Sequence, residues 1–325
     1  MKTIGSLLMA TAFAACLIQP SFAYQPTKPE CLAPAKPGGG FDLTCRLVSN
    51  SLLHSKLLEK PMLVTFMPGG VGAVAYNHII GLRGKDANVI TAVSTGSVLN
   101  LAQGKFGQYD ENAVRWLAGL GADYGAVVVL KDAPWQTLGD LLADLKKNPG
   151  AIPLGSGGSV GSQDWMKSAL LAKSAGVDPR SMRYVAFEGG GEALTALLGG
   201  HIKVYPGDVS ELAGQLDSGK FRVLAVLSDE RLPGKFSQFP TAKEQGHDVV
   251  WTIWRGYYLP PKVSDEEYNW WVDKLTQLAK TPEFAREREE RGLYPFTKIG
   301  KEFDGFIKQQ VVEFRTLAKE AGLIK

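Results

Sequence analysis

Cys31-Leu32-Ala33, then Pro37-Gly38-Gly39-Gly40, then Phe41-Asp42-Leu43-Thr44-Cys45 is the stretch that decides the fold. A short apolar run passes through a glycine turn straight into a helix, predicted over 42–58. There Phe41, Cys45, Val48 and Leu52 recur at i, i+4, i+7 and i+11 on one face. The same unit returns along the chain. An apolar run at 63–66 leads into Pro68-Gly69-Gly70-Val71-Gly72 and a helix, and one at 89–93 leads into Ser94-Thr95-Gly96-Ser97. Residues 152–154 lead into Gly155-Ser156-Gly157-Gly158-Ser159-Val160-Gly161, and 183–187 into Glu188-Gly189-Gly190-Gly191. Strands alternating with helices at this spacing predict an α/β fold with mostly parallel sheets. The pattern restarts at 127–130, and Thr137 with Asp140 opens a helix that Asn148-Pro149-Gly150 closes. A strand at 221–227, an irregular stretch at 231–246 and a strand at 251–259 follow. Ser264-Asp265-Glu266-Glu267 then reads as a capping box, and a last helix carries Phe303, Ile307, Val311 and Phe314. The expected domains are lobe 1 over 24–124 plus 250–325 and lobe 2 over 125–249.

Composition narrows the class. The 325 residues are 45% apolar, and 7 Trp, 14 Phe and 10 Tyr exclude a disordered chain. Net charge is only +3, from 36 basic and 33 acidic residues without a basic block, so a nucleic-acid partner is not expected.

Residues 1–23 read as a secretory signal peptide, with Lys2, an apolar run at 4–18, Pro20, and cleavage after Ser21-Phe22-Ala23. A lipoprotein signal ending at Cys16 is the competing reading. Cleavage leaves Cys31 and Cys45. In an oxidising compartment this pair reads as a disulfide, the alternative being two buried thiols. A bridge closing a loop of about 15 residues stabilises by about 3 kcal/mol on the chain-entropy model. The histidines (His54, His78, His201 and His247) lack metal-binding spacing, so no metal is expected.

Each glycine turn points backbone N–H groups from a helix N-terminus, where the dipole adds partial positive charge and anions bind without Lys or Arg. One such turn is ordinarily a close-packed connection; their recurrence points to an anion-binding cleft. No turn ends in Gly-Lys-Ser/Thr, and the GxGxxG pattern at Gly155-Ser156-Gly157 fails at Val160, so no nucleotide cofactor is expected. Gly157-Gly158-Ser159-Val160-Gly161 matches GxSxG. A serine hydrolase using Ser159, with Asp178 or Asp208 and His201 or His247, is therefore an alternative. Arg255 interrupts the aromatic run Trp251-Thr252-Ile253-Trp254-Arg255-Gly256-Tyr257-Tyr258, where it either meets a ligand or packs across the lobe boundary.

Residues 30–45, together with Met67-Pro68-Gly69-Gly70-Val71-Gly72-Ala73, resemble the solute receptors of tripartite tricarboxylate transporters, the Bug receptors. Gly161-Ser162-Gln163-Asp164-Trp165-Met166-Lys167, Tyr184-Val185-Ala186-Phe187-Glu188-Gly189-Gly190-Gly191-Glu192 and Pro240-Thr241-Ala242-Lys243-Glu244-Gln245-Gly246 extend the likeness in order over the mature chain. The resemblance leans toward citrate-type receptors. It implies a type II periplasmic binding protein, a Venus-flytrap with its ligand cleft between the lobes, no catalysis and no cofactor. The implied partners are a small organic carboxylate and a two-component membrane permease, with the receptor a monomer. The resemblance places a ligand carboxylate between Gly39, Gly40, Phe41 and Asp42 on one side and Gly157, Gly158, Ser159 and Val160 on the other. Ser94, Ser97, Glu188, Gly189, Gly190 and Asp208 would complete the wall. Another di- or aromatic carboxylate is the alternative ligand.

Overall fold

The computed structural model describes residues 24–320 and 322–324; the expected leader at 1–23, with Cys16, lies outside the described residues. β1 (Glu30–Ala33) runs into α1 (Gly40–His54), β2 (Leu63–Phe66) into α2 (Ala73–Leu82), and β3 (Val89–Ser94) into α3 (Thr95–Ala102). β4 (Arg115–Leu130) is followed by α4 (Leu138–Lys147), β5 (Leu154–Gly157), α5 (Gln163–Ser174), β6 (Tyr184–Phe187) and α6 (Gly190–Leu198). Next come β7 (Tyr205–Asp208), α7 (Val209–Leu212), β8 (Phe221–Leu227) and β9 (Thr252–Leu259). α8 (Asp265–Leu278), α9 (Pro282–Glu290), β10 (Lys298–Ile299) and α10 (Lys301–Glu320) close the chain.

The long β4 organises the sheet. Its first half pairs with β9 and β10, and its second half with β7 and β8; the main path runs β10-β4-β9-β3-β1-β2, with β5-β6 as a separate pair. The fold is α/β as expected, but the expectation of mostly parallel sheets does not hold. β1 pairs parallel with β2 and β3, and β5 with β6, whereas β4 pairs antiparallel with β7, β8, β9 and β10, and β3 with β9. The physical reason is the crossing: the chain leaves along β4 and returns beside it along β9, which requires opposite directions.

Helices cover both faces. α1 and α8 bury Leu47, Val48, Leu52, Trp271, Leu275 and Leu278 with Phe284 of α9 against one side of the β1-β3-β9 region. Ile79 of α2, Val98 of α3, and Phe303, Ile307 and Val311 of α10 cover the other. Trp116 and Trp271 are each fully buried, and such side chains contribute about 1.5–3 kcal/mol apiece or more. α4 starts where the capping box predicts: Thr137 Oγ1 accepts from Asp140 N–H at 3.1 Å and Asp140 accepts from Thr137 N–H at 2.9 Å. Leu138, Leu141, Leu142 and Leu145 form its buried stripe. α8 has the same reciprocal cap between Ser264 and Glu267.

Cys31 and Cys45 form a disulfide, tying β1 to α1 across the first glycine turn, with both residues fully buried. Replacing both with serine is expected to lower unfolding free energy by about 3 kcal/mol in urea titration, with the m-value unchanged or raised as the unfolded chain loses its cross-link. A change below 0.5 kcal/mol would show that the bridge constrains nothing.

Candidate ligand site

The turns opening α1, α3, α5 and α6 converge on one cleft of about 610 Å³, lined among others by Gly40, Phe41, Ser94, Gly157, Gly158, Ser159, Gly189 and Gly190. Convergence follows from the local geometry. β1 and β3 run parallel and end at one edge of the main sheet, β5 and β6 run parallel in their own pair, and each strand leads toward its helix's N-terminal turn. The turn at 70–72 joins them: Val71 holds φ 54, ψ 39, a left-handed conformation that costs a β-branched residue of order 1–2 kcal/mol. That conformation places its Cγ2 against Gly158 on the facing turn, so closely that a Cβ at Gly158 would lie 2.7 Å from it.

Beneath the turns lies a buried ladder of alternating charge. Asp164 and Lys167 of α5 are 2.8 Å apart, and Lys167 Nζ donates to Asp208 Oδ1 at 2.6 Å. Arg255 Nη2 donates to Asp208 Oδ2 at 2.8 Å, and Arg255 Nε to Asp123 Oδ2 at 3.0 Å. Ser210 Oγ and the N–H groups of Ser210 and Tyr124 satisfy the rest of Asp123. Burial works against every one of these charges. For Lys167 and Arg255 the neighbouring aspartates outweigh it and raise both pKa values, and for Asp208 the two cations outweigh it and lower the carboxyl. Asp123 and Asp164 stay raised by burial. Each ion pair is thus held by partners on β4, β7, β9 and α5, and the ladder ties α5 to these three neighbouring strands.

The expected site residues divide. Gly40, Phe41, Ser94, Gly157, Gly158, Ser159, Glu188, Gly189, Gly190 and Asp208 line the cleft, whereas Gly39, Asp42, Ser97 and Val160 do not. Asp42 accepts from Gly38 N–H at 2.8 Å and Arg46 Nε at 2.7 Å, which makes it a brace of its own turn. Gly39 packs against Gly190, where an added Cβ would sit 3.2 Å from its nitrogen. Ser97 turns its buried hydroxyl away from the cleft toward Gly72, and Val160 is 57% exposed outside it. Asp208 reaches the floor with both oxygens already committed to Lys167 and Arg255.

Backbone donors are similarly apportioned. Gly157 N–H donates to Asp164 Oδ2 at 3.0 Å and Gly158 N–H to Phe187 O at 2.9 Å. Among the described residues the N–H groups of Phe41 and Ser159 have no partner in the chain. Sequence reasoning did not single out Lys36, Asn100, Lys105, Gln163 or Glu211, which also line the cleft. The buried carboxamide oxygens of Asn100 and Gln163 lack partners. Among the described residues no group of three or more His, Cys, Asp or Glu side chains is arranged to hold a metal ion.

A family model described as tripartite tricarboxylate transporter family receptor matches residues 51–323. The chain belongs to this family. The receptor is 24% identical over 288 residues to the UPF0065 protein in the gbd 5' region of Cupriavidus necator, covering 89% of this chain and 85% of the relative. It is 21% identical to protein BugT of Bordetella pertussis, covering 99% and 97% respectively. The structure of periplasmic binding protein BugD superposes with a TM-score of 0.82 at 21% identity, covering 93% of the receptor and all (100%) of that chain. MatC of Rhodopseudomonas palustris, solved with bound malate, gives 0.76 at 17% identity over 89% and 98%.

Family and fold are those of solute-binding receptors, not enzymes. The serine-hydrolase reading is thereby overturned, and the geometry agrees. His247 Nδ1 is 2.8 Å from Ser174 Oγ, and no hydrogen bond joins Ser159 to a histidine among the described residues. The GxSxG pattern is a glycine turn whose Ser162 caps α5 through Trp165 N–H at 3.5 Å. No helix among the described residues is long and apolar enough to cross a membrane.

Arg255→Met leaves Asp123 without a cation and Asp208 with Lys167 alone. A loss of about 3–5 kcal/mol in unfolding free energy is expected at pH 8. The deficit should shrink at pH 5, where the orphaned Asp123 carboxyl, already raised by burial, takes up a proton. A deficit independent of pH would contradict the ladder.

Proposed function

We propose that this receptor captures a small organic acid with more than one carboxylate in the periplasm and hands it to a two-component membrane permease. A citrate-type tricarboxylate is the ligand favoured by its sequence motifs. The observation behind this reading is that the N-terminal turns of α1, α3, α5 and α6 open onto one cleft. There Phe41 N–H and Ser159 N–H are unspent, and Arg255 supplies a cation. In this proposal Phe41 N–H and Ser159 N–H donate to one carboxylate from opposite sides, while the carboxamide oxygen of Asn100 or Gln163 accepts from a ligand hydroxyl. Neutral donors fixed at helix ends bind an anion without the desolvation cost of a second mobile charge.

The lobes we propose, 24–124 with 250–325 and 125–249, close on the ligand. Lys36–Glu192 at 2.8 Å and Gln103 Nε2 to Gly161 O at 3.0 Å join them at the rim. Such contacts exist only in the closed state and so shift its population. A dicarboxylate is the second reading. Fold neighbours have been solved with malate and with adipate, and the first N–H of α1 in this chain is already taken by Glu211.

Calorimetry of residues 24–325 against citrate, malate, adipate and their methyl esters tests the proposal. At least one free acid should bind, and esterifying one carboxylate should weaken it roughly tenfold or more, as expected for lost charge-assisted hydrogen bonds. Absence of binding by every acid, or equal binding of the ester, would contradict it.

A further inference from the structure

Glu211, on the four-residue α7, stands where the glycine turns of α1 and α6 meet. Its Oε1 accepts from Gly40 N–H, the first N–H of α1, at 2.8 Å, and its Oε2 accepts from Asp208 N–H at 3.2 Å and from the Tyr205 hydroxyl. Gly190 has no side chain, and that is what leaves room. A Cβ there would collide with the Glu211 carboxyl. Gly40 likewise admits the Arg255 guanidinium directly beneath it. The chain therefore presents one of its own carboxyl groups to a helix-end donor inside the ligand cleft.

We infer that Glu211 is a specificity-determining residue, an internal occupant that keeps a ligand carboxylate off the α1 donor and makes anion capture dependent on a proton. The inference rests on the reading of the cleft as a carboxylate site. Its electrostatics follow from the neighbours. From β7 come Tyr205 and Asp208, and from α5 Asp164 and Lys167. Arg255 of β9 and Asp123 of β4 lie below. Asp42 of α1 is neutralised by Arg46, and Glu192 of α6 by Lys36, leaving Glu188 at the rim. The buried acids outnumber Lys167 and Arg255. Burial first, then the charges of Asp208 and Asp164, push the Glu211 carboxyl up to about 8. Below that pH the group is neutral and an anion enters an uncharged corner; above it, the anion meets a carboxylate.

The test is calorimetry of wild type, Glu211→Gln and Glu211→Ala with a matched tricarboxylate and dicarboxylate between pH 6.5 and 9.5. Wild-type affinity should fall above pH 8, approaching tenfold per pH unit for one linked proton. Glu211→Gln should remain flat over the same range. Glu211→Ala frees the α1 donor and should raise the tricarboxylate-to-dicarboxylate affinity ratio at least fivefold. Flat wild-type affinity, or an unchanged ratio in Glu211→Ala, would overturn the inference while leaving the receptor reading intact. Failure of every acid to bind wild type would overturn both. The pH series on wild type stands even where a variant does not fold.

Discussion

Everything at the cleft depends on the buried ladder Asp164–Lys167–Asp208–Arg255–Asp123. Isolated charges at this depth would cost several kcal/mol each, and they persist because every member is paired and hydrogen-bonded. The ladder contributes little net stability compared with an apolar replacement of the same shape. Its contribution is position. Arg255 comes from β9 and Asp123 from β4, strands that run through the centre of the sheet, and Asp208 and Lys167 attach the elements of the other half to them. With the ladder in place, the helix N-termini above it face one another across a cleft and cannot slide independently.

The ladder also decides which charges are left for a ligand. Asp208, which has the look of a binding residue, is committed on both oxygens, and Asp42 serves its own turn. What remains is a set of neutral backbone donors, two unpartnered carboxamide oxygens, Lys105 with only the Val160 carbonyl beside it among the described residues, and Arg255, whose charge is shared with two aspartates. On the proposed function, such a site captures an anion modestly and reversibly. That is the requirement of a receptor that must release its cargo.

Much of the architecture was legible because it is local. A strand, a glycine turn and a helix with period 3.6 are all written within about twenty residues, and α1, α4, α5, α6 and α8 start within two residues of where caps and turns place them. The first half of β4 was not legible, since Ala118-Gly119-Leu120-Gly121-Ala122 lacks β-branched residues and its pairing with β9 slips at bulges. β7 contains Pro206 and Gly207, and α7 is too short to show a period. At the site, the turns were readable but the ladder was not, apart from the i, i+3 spacing of Asp164 and Lys167. Arg255 reaches Asp123 across 132 positions and Asp208 across 47, a pairing that only the folded sheet creates. Glu211 had one sequence signal, its capping-box spacing from Asp208, which says nothing of the Gly40 N–H it also accepts.

A crystal structure of residues 24–325 with a bound di- or tricarboxylate tests the central claim most directly. The account predicts a ligand carboxylate oxygen about 2.7–3.2 Å from Phe41 N and Ser159 N, with the ladder unchanged and Glu211 still on Gly40 N–H. A ligand outside the cleft, or a carboxylate on Gly40 N–H with Glu211 displaced, would contradict it.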